Sequence, residues 1–230
     1  MHYRPAQERR FRLKYGLSYE PMAFNVYNKA MGERLDIAER ILDGIKDVYS
    51  WAKKDIQTVV PVKQIHENVP LTKRRITEEE KTWCEENIEA LRQMVPDPNE
   101  CTPEEYRKAY STYTNVKSRN QGAIEKFYHQ DEEPLKYHQL NVVRVGDISF
   151  ATSPFELYQD YMHRIQARSP FIQTFTVQLC GDGLSGYLAT ERAVKNKGYS
   201  ASLFCNTIGP EGGQELVEWT LEKLSELQQA

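Results

Sequence analysis

The chain has 230 residues, of which 40% are hydrophobic and 27% charged, and its formal net charge is −3. This balance argues against a general nucleic-acid binder, which needs a basic surface to release counterions. No apolar run approaches the roughly 20 residues of a membrane span, and no charged-then-apolar leader begins at Met1, so this chain alone predicts a cytoplasmic protein.

Residues 1–28 are predicted to form a loose N-terminal segment that is basic and aromatic. Arginine and lysine residues dominate its first half with little apolar patterning, which is typical of a solvated chain terminus. The alternative is an arm that contacts phosphate or an acidic partner.

Residues 29–135 are predicted to be a helical region with one edge strand. Apolar residues recur at three- and four-residue spacing from 29 to 52, which predicts an amphipathic helix packed by one face. A valine-rich run at 57–71 contains Pro61 and Pro70, and proline favours an edge strand because it cannot donate a ladder hydrogen bond. His66 in this run is predicted to be a half-buried strand residue rather than a metal ligand.

Two helix starts follow in the same region. Thr77 and Thr102 each precede a group of acidic residues, the pattern of an N-cap followed by an acidic first turn. The Pro-Asp-Pro-Asn stretch at 96–99 separates the two helices and is the most plausible hinge of the chain. The four cysteines form no CxxC pair and are predicted to be free thiols.

Residues 136–230 are predicted to be an α/β region. Two β-rich runs separated by Gly146-Asp147 predict a tight hairpin. Helical spacing of apolar residues from Leu157 predicts a helix that starts near Pro154, with Glu156 in its first turn, where the helix dipole favours an anion. A buried strand at 174–179, a glycine-rich loop at 181–187, a short helix, an extended segment at 199–204 and a final helix complete the region.

The fold class predicted from these elements is α/β, with a mixed β-sheet flanked by amphipathic helices. A carboxylate at a strand-to-helix junction, beside a glycine-rich loop that follows a strand, is where α/β proteins place ligand sites. The chain is expected to be part of a larger catalytic domain, so that Met1 would be an internal start.

The second half of the sequence resembles the neutral, non-lysosomal ceramidase family. Motifs in the same order and spacing cover roughly residues 140–227, which correspond to the C-terminal half of that family's catalytic region. They include Ser153-Pro154-Phe155-Glu156, Arg168-Ser169-Pro170-Phe171, Gly186-Tyr187-Leu188-Ala189-Thr190-Glu191 and Gly209-Pro210-Glu211-Gly212-Gly213.

The resemblance implies a zinc site to which this chain contributes Glu156 and Tyr187. In the family, histidines from the N-terminal half hold zinc together with a glutamate and a tyrosine from the C-terminal half. Tyr187 matches the second tyrosine of the family loop, whereas Leu184 stands at the position of the first and Asp182 replaces an asparagine. The alternatives are that Glu156 only complements a helix dipole and that Tyr187 is a packed aromatic residue with a tethered hydroxyl.

The resemblance also implies the activity. The chain would be a portion of a zinc-dependent amidohydrolase that acts on N-acyl amides such as ceramide, a lipid-like substrate. It would be inactive without a histidine-bearing half, and secreted if that half carries a signal peptide. The alternative is a non-catalytic domain that binds carbohydrate or protein. An exposed edge or face of the sheet would also invite association of the isolated chain.

Overall fold

Residues 26–181, 183 and 185–229 are described by the computed structural model, with side chains from residue 34 onward. The chain divides into two units, Met1–Val59 and Val60–Ala230. The boundaries predicted from the sequence at 28/29 and 135/136 stay predictions, and most of the N-terminal segment 1–28 lies outside the described residues, as do Asp182 and Leu184.

The described part of the first unit is helix α1, Val26–Ala52, followed by a short irregular stretch. The spacing of its apolar residues predicts this helix. Ile41, Ile45 and Val48 of the apolar stripe are exposed, and the packing of that stripe by one face stays a prediction. In the part of the chain that the structure describes, no helix is both long and apolar enough to span a membrane.

The second unit is built on a four-stranded mixed sheet, which confirms the predicted fold class. Its strands are β1 (Val62–Thr72), β2 (Leu135–Val145), β3 (Ile148–Thr152) and β5 (Gln173–Val177), in the order β1-β2-β3-β5. The first three pair antiparallel, and β3 pairs parallel with β5. The predicted hairpin lies between β2 and β3, where Gly146 has a φ of 61°. The predicted edge position of the proline-containing strand is also confirmed, because β1 has one neighbour in the sheet.

Two helices between β1 and β2 pack against each other and begin at the predicted residues. Helix α2 spans Glu78–Gln93 and helix α3 spans Pro103–His129. Thr77 and Thr102 are their N-caps, and each forms a capping box with the glutamate three residues later. These reciprocal bonds satisfy backbone N–H groups that the first helical turn leaves unpaired.

The hydrophobic core lies between the sheet and the last helix, α6, Pro210–Gln229. This helix packs against β1, β2 and α4 (Gln159–Arg168). Its buried stripe includes Leu216, Val217, Leu221 and Leu224. At its end, Arg144 on β2 donates to the carbonyl oxygens of Leu227 and Gln228 at 2.8 and 3.1 Å, which satisfies acceptors that a helix C-terminus leaves unpaired.

Two short segments differ from their predicted structure. Residues Glu156–Leu157 form strand β4 rather than the first turn of a helix, and α4 begins at Gln159. The extended segment predicted at 199–204 contains a 3₁₀ helix, Tyr199–Ala201. At β4, hydrogen bonds to distant residues override the local pattern, as described below. At 199–201, a tight turn does so.

The strand predicted to be buried at 174–179 is the second edge strand, β5, and it carries exposed apolar side chains. Phe175 and Val177 are 44% and 38% exposed. Phe175 stacks on Phe150 of the neighbouring strand, with ring centroids 5.1 Å apart. The predicted association of the chain through its sheet edge stays a prediction.

Candidate functional site

A second, two-stranded sheet brings the two predicted zinc ligands together. Strand β6, Tyr187–Leu188, pairs parallel with β4, and Glu156 lies opposite Tyr187 in the register. The next pair, Leu157 and Leu188, is buried in the core. Because successive side chains of a strand point to opposite faces, Glu156 and Tyr187 share the outward face of this small sheet.

Backbone and side-chain hydrogen bonds hold Glu156 in this strand. Its N–H donates to the Gly186 carbonyl oxygen at 3.0 Å, and the Tyr158 N–H donates to Leu188 at 3.2 Å. Between them, the Leu157 N–H donates to the Gln178 side-chain oxygen at 2.9 Å. Three consecutive N–H groups therefore find partners outside the local chain, which explains why the helix predicted from Pro154 starts later.

The position of Tyr187 depends on a glycine immediately before it. Gly186 has a φ of 75°, and a Cβ there would lie 2.4 Å from the Cys205 carbonyl oxygen. The same carbonyl accepts a hydrogen bond from the Tyr187 N–H at 3.0 Å, and the Asn206 side chain donates to the Tyr187 carbonyl at 2.9 Å. Strand β6 is therefore held between β4 and the 205–206 segment.

Glu156 and Tyr187 lie opposite each other across the β4–β6 pair. Hydrogen bonding to the Glu156 carboxylate and the charge of this carboxylate raise the pKa of Tyr187 above its ordinary value, since a phenolate beside Glu156 would be repelled. The interaction stabilises the folded protein fully below the ordinary tyrosine pKa of about 10, and this stabilisation is lost as the pH rises through the raised pKa of Tyr187. Glu156 is exposed and Tyr187 is half-buried.

Replacing Glu156 by glutamine is expected to lower the pKa of Tyr187 toward its ordinary value. The amide still accepts a hydrogen bond but has no charge to oppose the phenolate. The measurement is a pH titration of tyrosine ¹³Cζ shifts, with Tyr187 assigned by its loss in Tyr187→Phe. Glu191→Gln is the control, because Glu191 is paired with Lys195 at 2.6 Å and should leave Tyr187 unchanged. An unaltered Tyr187 titration in Glu156→Gln would contradict the pairing.

Neighbouring aromatic and thiol groups that the sequence reasoning missed complete this surface. The Tyr187 ring meets the Tyr199 ring edge-on, with centroids 6.3 Å apart, and the half-buried Cys205 lies close enough to contribute to the raised pKa of Tyr187. No local sequence pattern predicts this grouping, because residues 156, 187, 199 and 205 are far apart in sequence and meet only through the β4–β6 pairing and the contacts of Tyr187 with Tyr199 and Cys205.

The oxygens of Glu156 and Tyr187 supply some of the ligands that a metal site needs, but not a complete set. Carboxylate and phenol oxygens can both bind zinc, but a catalytic zinc site uses three protein ligands. Among the described residues there is no group of three or more His, Cys, Asp or Glu side chains arranged to hold a metal ion. Described histidines lie elsewhere: His66 on β1 is exposed rather than half-buried as predicted and is bonded to Asn141, and His138 is buried with its ring against Phe155.

A separate cleft of about 580 Å³ lies where helices α4, α5 (Glu191–Lys195) and α6 begin. Its floor includes Tyr161, whose hydroxyl donates to the Ala189 carbonyl oxygen at 3.1 Å. Burial raises the pKa of Tyr161 to about 12. Because this hydroxyl is already bonded and stays protonated, its role in the described structure is to join α4 to the segment before α5.

Comparison with known proteins gives one partial structural likeness. No family model matches the chain, and no curated protein matches its sequence. One solved structure, described as "Ceramidase complexed with C2", aligns at 13% sequence identity over 42% of this chain, with a TM-score of 0.35. The aligned part spans 15% of that ceramidase chain, so the likeness concerns part of the fold.

Proposed function

We propose that this chain is a portion of a ceramidase-like amidohydrolase in which Glu156 and Tyr187 contribute to a zinc site. The observation that carries the proposal is the strand register that places Glu156 opposite Tyr187. Two residues 31 positions apart, singled out by family-like motifs, share one face of the β4–β6 sheet, and the Glu156 carboxylate raises the pKa of Tyr187. Glu156 lies in strand β4, two residues before the N-cap of α4, rather than in the first turn of the helix.

Glu156 and Tyr187 would hold zinc together with histidines from a part of the protein that this sequence does not contain. The chemistry that zinc supplies when bound is Lewis-acid polarisation of the substrate carbonyl. Glu156 contributes negative charge, which a divalent cation prefers over a neutral amide. Tyr187 contributes an oxygen whose proton is held by Glu156, so metal binding must displace that proton and should tighten as the pH rises.

The substrate class proposed is an N-acyl amide with a lipid-like chain, cleaved to a fatty acid and an amine. Exposed aromatic surface beside the oxygen pair supports this choice, since Tyr199 is 77% exposed and lies against Tyr187. The described residues offer no observation that favours the alternative of a non-catalytic carbohydrate- or protein-binding domain.

The test is the zinc content of the natural full-length product after dialysis against a weak chelator. Glu156→Gln and Tyr187→Phe are expected to weaken zinc retention by at least about 10–100-fold, the effect of losing even an outer-shell partner. Glu191→Gln is the matched control, because Glu191 is an acid at a helix start that the family motif does not place on the metal. Hydrolysis of a fluorogenic N-acyl sphingosine should fall in parallel with zinc in the two site variants.

Equal zinc retention in the wild type and all three variants would remove Glu156 and Tyr187 from the site. Turnover by the 230-residue chain alone, abolished by a chelator, would show that no histidine-bearing part is needed. In both cases the proposal in this form would be wrong.

A further inference from the structure

A second cleft in the Val60–Ala230 unit, of about 560 Å³, is lined by an unusual number of cations. It lies between the end of β1, the end of α3 and the turn that leads into β2. Four permanently or usually charged side chains line it, together with a histidine: Lys73, Arg74, Arg75, Lys126 and His129. The acids on its wall are Glu132 and Glu133. A cleft of this size is in the range of small-molecule sites.

Most of the cations in this cleft already have a carboxylate partner. Ion pairs join Lys73 to Glu133 at 3.1 Å, Arg74 to Glu80 at 2.6 Å, and Arg75 to Asp131 at 2.7 Å. The His129 ring bonds to Glu132 at 3.0 Å. These pairs use every acid on the cleft wall, so a further cation there has no carboxylate left.

Lys126 is that further cation. In the part of the chain that the structure describes, its ammonium group forms no hydrogen bond or ion pair, although the residue is half-buried near the end of α3. Burial, followed by the charges of Arg74 and Lys73, lowers the pKa of Lys126. The charge of Glu80 acts in the opposite direction but is the weakest of these causes, and the ion pair of Glu80 is with Arg74 rather than with Lys126.

Arg74 adds a fixed positive charge to the same place. Its side chain is 6% exposed and is held by both oxygens of Glu80, at 2.6 and 3.2 Å. Its Nε has no hydrogen-bond partner among the described residues. A guanidinium fixed in this way cannot swing out to solvent, so the charge of Arg74 stays beside Lys126.

We propose that this cleft is a binding site for a phosphoryl group, supplied by inorganic phosphate or by a phosphate monoester, with Lys126 as its principal ligand. A compact, doubly charged oxyanion offers several acceptors to the cations and satisfies Lys126, which no carboxylate of the described protein does. The site is independent of the proposed zinc site, since neither Glu156 nor Tyr187 lines this cleft.

The test is isothermal titration of the chain with inorganic phosphate at low ionic strength. We expect one phosphate per chain, bound at least about tenfold more weakly by Lys126→Met, because a charge-assisted hydrogen bond contributes about that much. Lys126→Arg should restore binding, since it returns the charge. Lys117→Met is the matched control, the same change on the same helix at a lysine that lies over the Tyr113 ring and outside the cleft.

Lys126→Met should fold at least as well as the wild type, because it removes a desolvated charge that repels Arg74 and Lys73. A thermal melt of each variant separates loss of binding from loss of folding. Absence of phosphate binding to the wild type would overturn the proposal. Equal binding by Lys126→Met, or equal weakening by Lys117→Met, would also overturn it.

A labelling experiment gives a second readout at the residue itself. The lowered pKa leaves more of Lys126 as free amine, so a soluble acylating reagent should modify it readily. Phosphate is expected to slow acylation of Lys126, measured by peptide mass spectrometry, and to leave Lys117 unchanged. In a parallel arm, stronger protection by glycerol phosphate than by free phosphate would identify a monoester as the ligand, and the reverse would identify the free ion. Protection by neither would contradict the proposed site.

Discussion

Replacing Gly212 by alanine is expected to destabilise the Val60–Ala230 unit by about 3 kcal/mol. A Cβ at this position would lie 2.3 Å from the Ile208 side chain and 2.6 Å from the Thr72 carbonyl oxygen. The carbonyl belongs to the backbone of β1 and accepts a hydrogen bond from the Gly209 N–H at 3.0 Å. Because it cannot rotate away as a flexible side chain could, α6 must move off the sheet.

The clash must overcome a favourable effect of the same substitution. Alanine within a helix is more favourable than glycine by about 1 kcal/mol, so a net loss means that the clash costs more than that. Gly122→Ala in α3 is the control, because a Cβ there meets nothing within 4 Å and the change should stabilise by about 0.5–1 kcal/mol. Urea unfolding followed by Trp219 fluorescence, with the other two tryptophans replaced, measures both variants. Stabilisation by Gly212→Ala would show that α6 does not approach β1 this closely.

Helix starts and the hairpin could be predicted from the sequence because their causes are local. Thr77 bonds to the N–H of Glu80 at 3.2 Å, and the Glu80 carboxylate accepts from the Thr77 N–H at 3.1 Å. All four groups lie within four consecutive residues, so their identity is enough to specify the bonds. Gly146 likewise provides the positive φ that its two-residue hairpin needs.

Strand β4 could not be predicted in the same way. The residues from Glu156 to Tyr158 have helical apolar spacing on their C-terminal side, and their partners are Gly186, Gln178 and Leu188. Those partners follow by 20 or more positions, and each strand of the pair has two residues. Two residues are too few to show an alternating pattern, so the pairing of Glu156 with Tyr187 emerges only in three dimensions.

The cleft that contains Lys126 is even harder to predict from the sequence. Its positive charges come from the segment after β1 and from the end of α3, about 50 positions apart, while the acids that pair with them lie at 80 and 131–133. A net charge of −3 for the whole chain does not show which of these charges are paired. Which lysine lacks a partner depends on distances that no sequence pattern contains.

Replacing Phe155 by alanine is expected to have the largest effect on both stability and the Glu156–Tyr187 pair. Phe155 is 0% exposed in the core, and its ring meets the His138 ring edge-on at a centroid distance of 5.0 Å. Truncating a buried phenylalanine leaves a cavity and costs about 3–5 kcal/mol. Since Phe155 directly precedes Glu156, collapse into that cavity should also shift β4 against β6.

The measurements are urea unfolding and the titration of Tyr187, made on the same variant. We expect the midpoint of unfolding to fall and the pKa of Tyr187 to move toward its ordinary value, because the carboxylate is no longer fixed opposite the phenol. Phe175→Ala is the control, since Phe175 is 44% exposed at the sheet edge and loses mainly its stacking with Phe150, about 0.5–1.5 kcal/mol. It should leave Tyr187 unaltered. If Phe155→Ala unfolds no more easily than Phe175→Ala, or keeps the Tyr187 titration of the wild type, then the core does not position β4 and the oxygen pair is held by the strand hydrogen bonds alone.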